Sequence, residues 1–157
     1  MKNIFNIDDL DRKILSILTR NARAPFLEVA AECKISGAAV HQRVQRLIRT
    51  GIINGSQYNV DPKKLGFKTC AFVGIFLDNA ALFNNVSEKL AKISEITQCH
   101  YITGQYAMFL EVYARDNDHL REVLADKIQS IKGVSRTETF ISLDVLIDRQ
   151  LPVLDND

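Results

Sequence analysis

The sequence lacks any long apolar segment. Its longest uninterrupted apolar run is Ala71–Leu77, and its start, MKNIFNIDDLD, turns acidic at once. A membrane-spanning helix needs about 20 apolar residues, and a secretory signal peptide needs an apolar core. The composition, 46% hydrophobic and 25% charged, is typical of one or two small globular domains. We therefore expect a cytoplasmic protein.

Cysteine and catalytic motifs are also scarce. Cys33, Cys70 and Cys99 are odd in number, widely spaced and set in apolar surroundings, which favours reduced thiols over a disulfide or a zinc site. The sequence also lacks paired carboxylates, a Ser/His/Asp set, a cluster of metal ligands and a glycine-rich phosphate loop. It therefore predicts no catalytic residue, no metal and no cofactor.

Charge is distributed unevenly along the chain. Residues 1–60 contain nine Lys/Arg and five Asp/Glu, whereas residues 61–157 contain eleven and fourteen. A basic N-terminal region followed by an acidic remainder indicates that a polyanion would bind the N-terminal region only.

Three short helices are predicted in the basic region. The first begins at the acidic pair Asp8-Asp9, and the second runs from Pro25 to Glu32. The third begins after Ser36, a good N-cap, and ends at Gly51. Because the last two helices are joined by a turn of three or four residues, they are typical of a helix-turn-helix. A compact helical hairpin in a bundle would look similar.

The surface of the third helix distinguishes these two interpretations. One stripe is apolar and predicted to face the core: Val40, Val44, Leu47 and Ile48. The opposite face carries small residues, amides and guanidinium groups without an acid: Ala38, Ala39, Gln42, Gln45, Arg46 and Arg49. Glutamine and arginine make bidentate contacts to base edges, so this face favours DNA binding.

Each side chain near this face has an expected role. We expect Arg46, Gln42 and Gln45 to read bases and Arg49 to approach a phosphate. Arg43 flanks the apolar stripe, which favours a structural or phosphate-facing role over base reading. The predicted interface comprises Ser36, Gly37, Ala38, Ala39, His41, Gln42, Arg43, Gln45, Arg46 and Arg49.

The rest of the chain predicts a second domain. Residues 52–60 are predicted to form a strand with a turn-prone Asn-Gly pair, and residues 54–66 a linker. A strand–helix–strand pattern then occurs twice, with predicted strands 67–77, 96–103, 107–114 and 134–147 and predicted helices 82–93 and 117–131. Gly104-Gln105 is predicted to join the two repeats as a tight hairpin. This is the pattern of a ferredoxin-like βαββαβ fold, an antiparallel four-stranded sheet with two helices on one face.

Two features of this domain indicate partners. Residues 107–114 and Phe140 place large apolar groups on both faces of the sheet, which predicts self-association through the uncovered face. The hairpin Tyr101–Tyr106 concentrates hydroxyls, an amide and glycine N–H groups. It is equally compatible with binding the carboxylate of a small zwitterion and with a plain hairpin.

Several motifs together resemble the Lrp/AsnC family of prokaryotic transcription factors. They are LDRKIL at Leu10–Leu15, RVQRL at Arg43–Leu47, GII at Gly51–Ile53 and TGQY at Thr103–Tyr106. The runs Lys127–Ile131 and Thr137–Thr139 are more similar to the asparagine-responsive branch. The resemblance covers residues 5 to about 148 and implies an α+β protein with an N-terminal winged helix-turn-helix. It also implies dimers that assemble into octamers, with an amino acid such as asparagine bound between dimers near Thr103–Ala107.

Two positions depart from the family pattern. Gly37 stands where members often have proline, and Ala107 where many have an acid suited to the amine of an effector. Gln129, Tyr101 or Glu138 could compensate for that acid. The candidate effector residues are Tyr101, Thr103, Gly104, Gln105, Tyr106, Ala107, Gln129 and Glu138.

The sequence as a whole predicts a DNA-binding transcriptional regulator that responds to a small amino acid. Its expected domains are 1–53 (helix-turn-helix), 54–66 (strand and linker), 67–148 (effector binding and oligomerisation) and 149–157 (tail). Two alternatives stay open: a haem-pathway decarboxylase-like enzyme on the same fold, suggested by His100 near the hairpin, and an effector-sensing partner of other family members that does not itself bind DNA.

Overall fold

The computed structural model describes residues 7–153, which divide into two compact units. One unit contains residues 7–58 and 147–153, and the other contains residues 59–146. Within this described range, none of the helices has the length and apolar character needed to cross a bilayer. Residues 1–6 of the expected first domain and residues 154–157 of the expected tail lie outside it.

The first helix, α1 (Asp9–Arg20), starts with a reciprocal cap. The side chain of Asp8 accepts a hydrogen bond from the backbone N–H of Asp11 at 2.8 Å, and the side chain of Asp11 accepts one from the backbone N–H of Asp8 at 3.1 Å. This capping box satisfies two backbone donors that a helix start otherwise leaves unpaired. The predicted cap at Asp8 is confirmed.

The helix-turn-helix consists of α2 (Phe26–Cys33) and α3 (Gly37–Arg49). Pro25 precedes α2 as its N-cap, and Lys34 ends that helix in the left-handed conformation at φ 57°. Ser36 caps α3 through a 3.2 Å hydrogen bond from the Ala39 N–H to its Oγ, as predicted.

Gly51 ends α3 at φ 74°, a conformation that favours glycine. The N–H of Gly51 donates to the Ile48 carbonyl at 3.0 Å, and the N–H of Ile52 donates to the Leu47 carbonyl at 2.9 Å. These paired bonds satisfy carbonyl groups at the helix end, so the predicted stop at Gly51 is confirmed.

The three helices enclose a small apolar core to which each contributes. Its buried members are Ile14, Ile17, Val29, Ala30, Cys33, Val40 and Val44. Ile48 was predicted to join Val40, Val44 and Leu47 in the core, but it is 45% exposed, whereas the neighbouring Leu47 is buried.

The strand predicted over residues 52–60 is absent. All of these residues are described, and none of them is in a strand. A strand needs a neighbouring strand to pair its backbone groups, and within residues 7–153 the only sheet is formed by four later segments. The helix-turn-helix therefore lacks the expected wing strand in the single chain.

The second unit is built on an antiparallel sheet with the strand order β2-β3-β1-β4. The strands are β1 (Thr69–Leu77), β2 (Ile96–Tyr101), β3 (Met108–Ala114) and β4 (Val134–Ser142). This order and the two helices between strands confirm the predicted ferredoxin-like fold. The β4 strand ends before the predicted residue 147, and the β2–β3 connection, residues 102–107, is longer than the predicted two-residue turn.

The helices of this unit differ from simple α-helices. A 3₁₀ turn (Ala80–Leu82) leads into α4 (Phe83–Leu90), which is shorter than predicted. The next helix, α5 (Asn117–Glu122), continues as a π-helix over Val123–Gln129. The apolar spacing identified this helix but could not distinguish π from α geometry, because the two differ by one residue per hydrogen-bonded turn.

The two faces of the sheet have different environments. The helix-covered face is fully buried and includes Ala71, Val73, Ile75, Met108, Leu110 and Val112. The opposite face is left uncovered by the described elements of this unit and carries aromatic groups, with the Phe72 and Phe109 rings stacked at 5.8 Å and Phe140 49% exposed. The prediction of large apolar groups on both faces is confirmed.

A buried carboxylate connects the start of β2 to the π-helix. Glu95 is 9% exposed and accepts hydrogen bonds from Lys127 Nζ at 2.6 Å and from Ser94 Oγ at 3.1 Å. Burial raises the pKa of Glu95, but the hydrogen bonds from Lys127, the backbone and Ser94 outweigh it, and the pKa falls to about 2. His119 Nε2 lies 3.3 Å from the same carboxylate.

We expect Glu95→Gln to lower the free energy of unfolding by roughly 2 kcal/mol at pH 7, because a carboxyl with a depressed folded-state pKa stabilises the fold when it is ionised. This contribution is present above the ordinary glutamate pKa near 4.5 and is lost as the pH falls towards 2. Urea unfolding of both proteins between pH 7 and pH 3 measures it. A difference between them that stays constant over this range would contradict the assignment.

Candidate nucleic-acid interface and ligand site

The outward surface of α3 is formed by a few polar side chains. Val40, Val44 and Leu47 are buried in the core, whereas Gln42, Gln45 and Arg49 are exposed. A shallow surface depression runs along this side of the helix, lined by His41, Gln42, Arg43, Gln45, Arg46 and Arg49. Six of the ten predicted interface residues therefore share one continuous surface.

The N-terminal end of α3 supplies the other four, which are small. The Ser36 hydroxyl is engaged in the helix cap, and Ala38 is exposed. A Cβ placed on Gly37 would lie 3.4 Å from the Leu27 side chain, which is ordinary contact. With Ala39, these residues allow another molecule to approach the helix end closely.

Arg43 is bound to the first helix. Its Nη1 donates to Asp8 Oδ2 at 2.6 Å and to Asp11 Oδ1 at 2.9 Å, and its side chain is 28% exposed. The hydrogen bond from Arg43 is the main cause that lowers the pKa of the Asp8 carboxyl, and the bond to Asp8 is the main cause that raises the pKa of Arg43.

Arg46 is also ion-paired, which the sequence analysis missed. Its Nη2 donates to Oδ2 of Asp11, whose side chain is completely buried. Helix α3 has no acid of its own, so the neutralising charge comes from α1, 35 residues earlier in the sequence. A signal was present, because Asp11 precedes Ile14 by three residues and so lies on the inward stripe of α1.

Two further side chains of α3, His41 and Arg49, take no part in the ion pairs with Asp8 and Asp11. The His41 ring contacts Phe26 of α2 edge-on, with centroids 6.0 Å apart. Among the described residues Arg49 forms no ion pair, and its Nε contacts the Gln45 carbonyl at 3.4 Å.

The predicted effector hairpin lies at the β2–β3 connection. Thr103, Gly104 and Gln105 are exposed there, and Gly104 adopts φ 122°, where a side chain would be strained. The N–H of Ala107 is not free, because it donates to the Ile75 carbonyl at 2.8 Å. The exposed part of the hairpin thus offers polar groups without a charged side chain.

Tyr106 and Glu138 meet on the uncovered face of the sheet. The Tyr106 hydroxyl donates to Glu138 Oε2 at 2.6 Å, and this bond is the main cause that raises the pKa of Tyr106. The tyrosine ring lies over Gly74, where a Cβ would come within 2.5 Å of it. Arg136 packs on Phe76 at 3.9 Å and lies 3.4 Å from Glu138.

The other two candidate effector residues lie apart from each other. Gln129 donates to Thr137 on β4, one edge strand, at 2.8 Å, and Tyr101 on β2, the other edge strand, contacts Phe83 at 4.6 Å between centroids. Four strands spaced about 4.8 Å apart separate these edges by roughly 14 Å. A single chain therefore does not bring all the predicted effector residues together.

His100, which suggested the tetrapyrrole alternative, lies on β2 and contacts the Gln98 amide at 3.0 Å. Across residues 7–153, His, Cys, Asp and Glu side chains do not cluster in a way that could hold a metal ion.

These features define a class of protein, a helix-turn-helix unit joined to a ferredoxin-like unit. Comparison with known sequences agrees: residues 7–48 match the AsnC-type helix-turn-helix domain, and residues 70–152 match the Lrp/AsnC ligand-binding domain. The chain belongs to the Lrp/AsnC family of transcriptional regulators.

Three relatives illustrate the similarity. The regulatory protein AsnC of Haemophilus influenzae is 40% identical over 146 residues, which cover 93% of this chain and 97% of the relative. The structure of Escherichia coli AsnC superposes with a TM-score of 0.90 at 38% identity, covering 94% and 99% of the two chains. The feast or famine regulatory protein of M. tuberculosis, solved in complex with L-methionine, has a TM-score of 0.87 at 28% identity, covering 93% and 99%.

Proposed function

We propose that this regulator contacts operator DNA through the outward surface of α3, with Gln42 and Gln45 at base edges and Arg49 at a phosphate. This assignment rests on one observation. All three side chains are exposed on one face of α3, and none of them belongs to an ion pair among the described residues. A glutamine amide can both donate and accept a hydrogen bond, as the edge of adenine requires.

We expect Gln42→Ala and Gln45→Ala each to reduce the preference for operator over random DNA by about 1–3 kcal/mol, because a lost base contact affects only the correct sequence. Gel-shift titrations on both DNAs measure this preference. Arg49→Ala is the matched control on the same helix, and it should weaken binding to both DNAs equally. Glutamine variants that weaken both DNAs equally would place Gln42 and Gln45 outside base recognition.

We also propose that the second unit binds a small amino acid at the hairpin of residues 102–107. Support comes from the ligand-binding-domain match over this region, from the methionine complex of the M. tuberculosis relative and from the exposed polar groups at Thr103, Gly104 and Gln105. Asparagine is the first candidate, since the sequence resembles the asparagine-responsive branch.

A thermal-shift screen of the twenty amino acids tests this site. We expect one or two of them to raise the melting temperature and Gln105→Ala to reduce that rise, because the variant removes an exposed amide at the hairpin. Gln150→Ala, another exposed glutamine, is the matched control and should keep the full response. Equal responses of the two variants would place the site elsewhere.

We further propose that two copies of the chain form a dimer through the uncovered face of the sheet. Phe72, Phe109 and Phe140 form an aromatic patch there that nothing in the described chain covers. Apolar patches of this kind are typical of association surfaces, and symmetric pairing of identical faces is the commonest arrangement. Assembly of dimers into octamers and a cytoplasmic location accompany this function and stay predictions.

We expect Phe140→Asp to weaken the dimer, because it places a charge within an apolar contact surface. Sedimentation equilibrium over a range of protein concentrations measures the association. Lys89→Asp on the covered side, at the end of α4, is the control that also introduces an acid and should leave association unchanged. A Phe140→Asp protein as associated as the control would contradict pairing through this face.

A further inference from the structure

Asp11 occupies an unusual position for an acidic residue. Its side chain is 0% exposed, yet it lies beside three polar partners: the backbone N–H of Asp8 and the guanidinium groups of Arg43 and Arg46. It is one of the two buried charged residues among the described residues, the other being Glu95. A buried carboxylate is stable only when such donors surround it.

The same contacts restrain the two arginines. Arg43 donates to both Asp8 and Asp11, and Arg46 donates to Asp11. If Arg46 bound a DNA phosphate instead, Asp11 would lose one of its two cations while remaining buried. If Arg43 bound a phosphate, that phosphate could replace Asp8, which is 51% exposed, but it would still compete with Asp11 for the guanidinium group. Arg49, in contrast, has no ion pair to give up within the described residues.

We infer that Asp11 is a positioning residue for DNA recognition, which withholds Arg43 and Arg46 from the DNA and leaves Arg49 as the phosphate-contacting arginine of α3. The inference rests on the proposed contact between α3 and DNA. It replaces the expectation that Arg46 reads bases and that Arg43 approaches a phosphate. The two arginines hold α3 against α1, and Gln42 and Gln45 are exposed beside them.

The salt dependence of binding distinguishes a withheld arginine from one that contacts a phosphate. Each phosphate contact adds about 0.9 to the slope of log K against log salt concentration, because it releases condensed counterions. A purely structural role changes the affinity but not this slope. A homodimer contains each contact twice, so losing one type of contact lowers the slope by roughly 1.8.

The experiment measures this slope on operator DNA for Arg43→Gln, Arg46→Gln and the matched control Arg49→Gln. We expect Arg49→Gln to lower the slope by about 0.9 per contact and the other two variants to leave it unchanged. Thermal unfolding confirms that each variant is folded at the assay temperature. A fall in slope for Arg46→Gln equal to that of Arg49→Gln would overturn the inference.

Asp11→Asn tests the same inference in the opposite direction. It retains the shape of the side chain but removes its charge, so the released arginines should steepen the slope and reduce the preference for operator over random DNA. An unchanged slope in folded Asp11→Asn protein would contradict the withholding role. If this variant does not fold, the arginine variants still decide the question. If the wild-type protein shows no salt-dependent DNA binding at all, the proposed DNA contact itself fails.

Discussion

The ion pairs between buried Asp11 and the arginines Arg43 and Arg46 join α3 to α1 in the helical unit. Removing one partner of a fully buried ion pair typically costs about 3–5 kcal/mol, because the other charge stays buried without compensation. The cost here is smaller, because solvent screens the Arg43 and Arg46 side chains, which are 28% and 41% exposed. Even a part of that cost matters in a domain whose total stability is about 5–15 kcal/mol. The orientation of α3 on α1 therefore depends on these contacts as well as on the shared apolar core.

The local features of this unit could be predicted from the sequence, and the Asp11 contacts could not. The caps at Asp8 and Ser36 and the stop at Gly51 involve residues within a few positions of each other, so their chemistry is visible in the sequence. The partners of Asp11 lie 32 and 35 residues away and become neighbours only when the helices pack. Arg46 therefore appeared to be free to read bases, and a structural role for Arg43 could be suggested without its partner.

The sheet illustrates the same distinction. Its antiparallel four-stranded architecture followed from the doubled strand–helix–strand pattern, and its two apolar faces followed from the alternation of large apolar residues. The packing of the Tyr106 ring on Gly74 could not be predicted, because it joins the β2–β3 connection to β1 and depends on the absence of a Cβ. The prediction of a wing strand was wrong for a related reason. An extended segment forms a strand only beside another strand, and residues 52–60 have no such neighbour among the described residues.

The candidate effector residues show which groups remain available for a ligand. Tyr106 is bonded to Glu138, and Gln129 to Thr137, so binding through these side chains would require breaking an existing hydrogen bond. The Gln105 side chain is itself hydrogen-bonded to Tyr106, whereas the groups at Thr103 and Gly104 are exposed. This segment suits a carboxylate better than an amine, since it carries no acid. Glu138 is the acid among the candidate effector residues, but it already accepts a hydrogen bond from the Tyr106 hydroxyl. An amino-acid ligand that reached it would have to replace that hydroxyl, which would remove the main cause of the raised pKa of Tyr106.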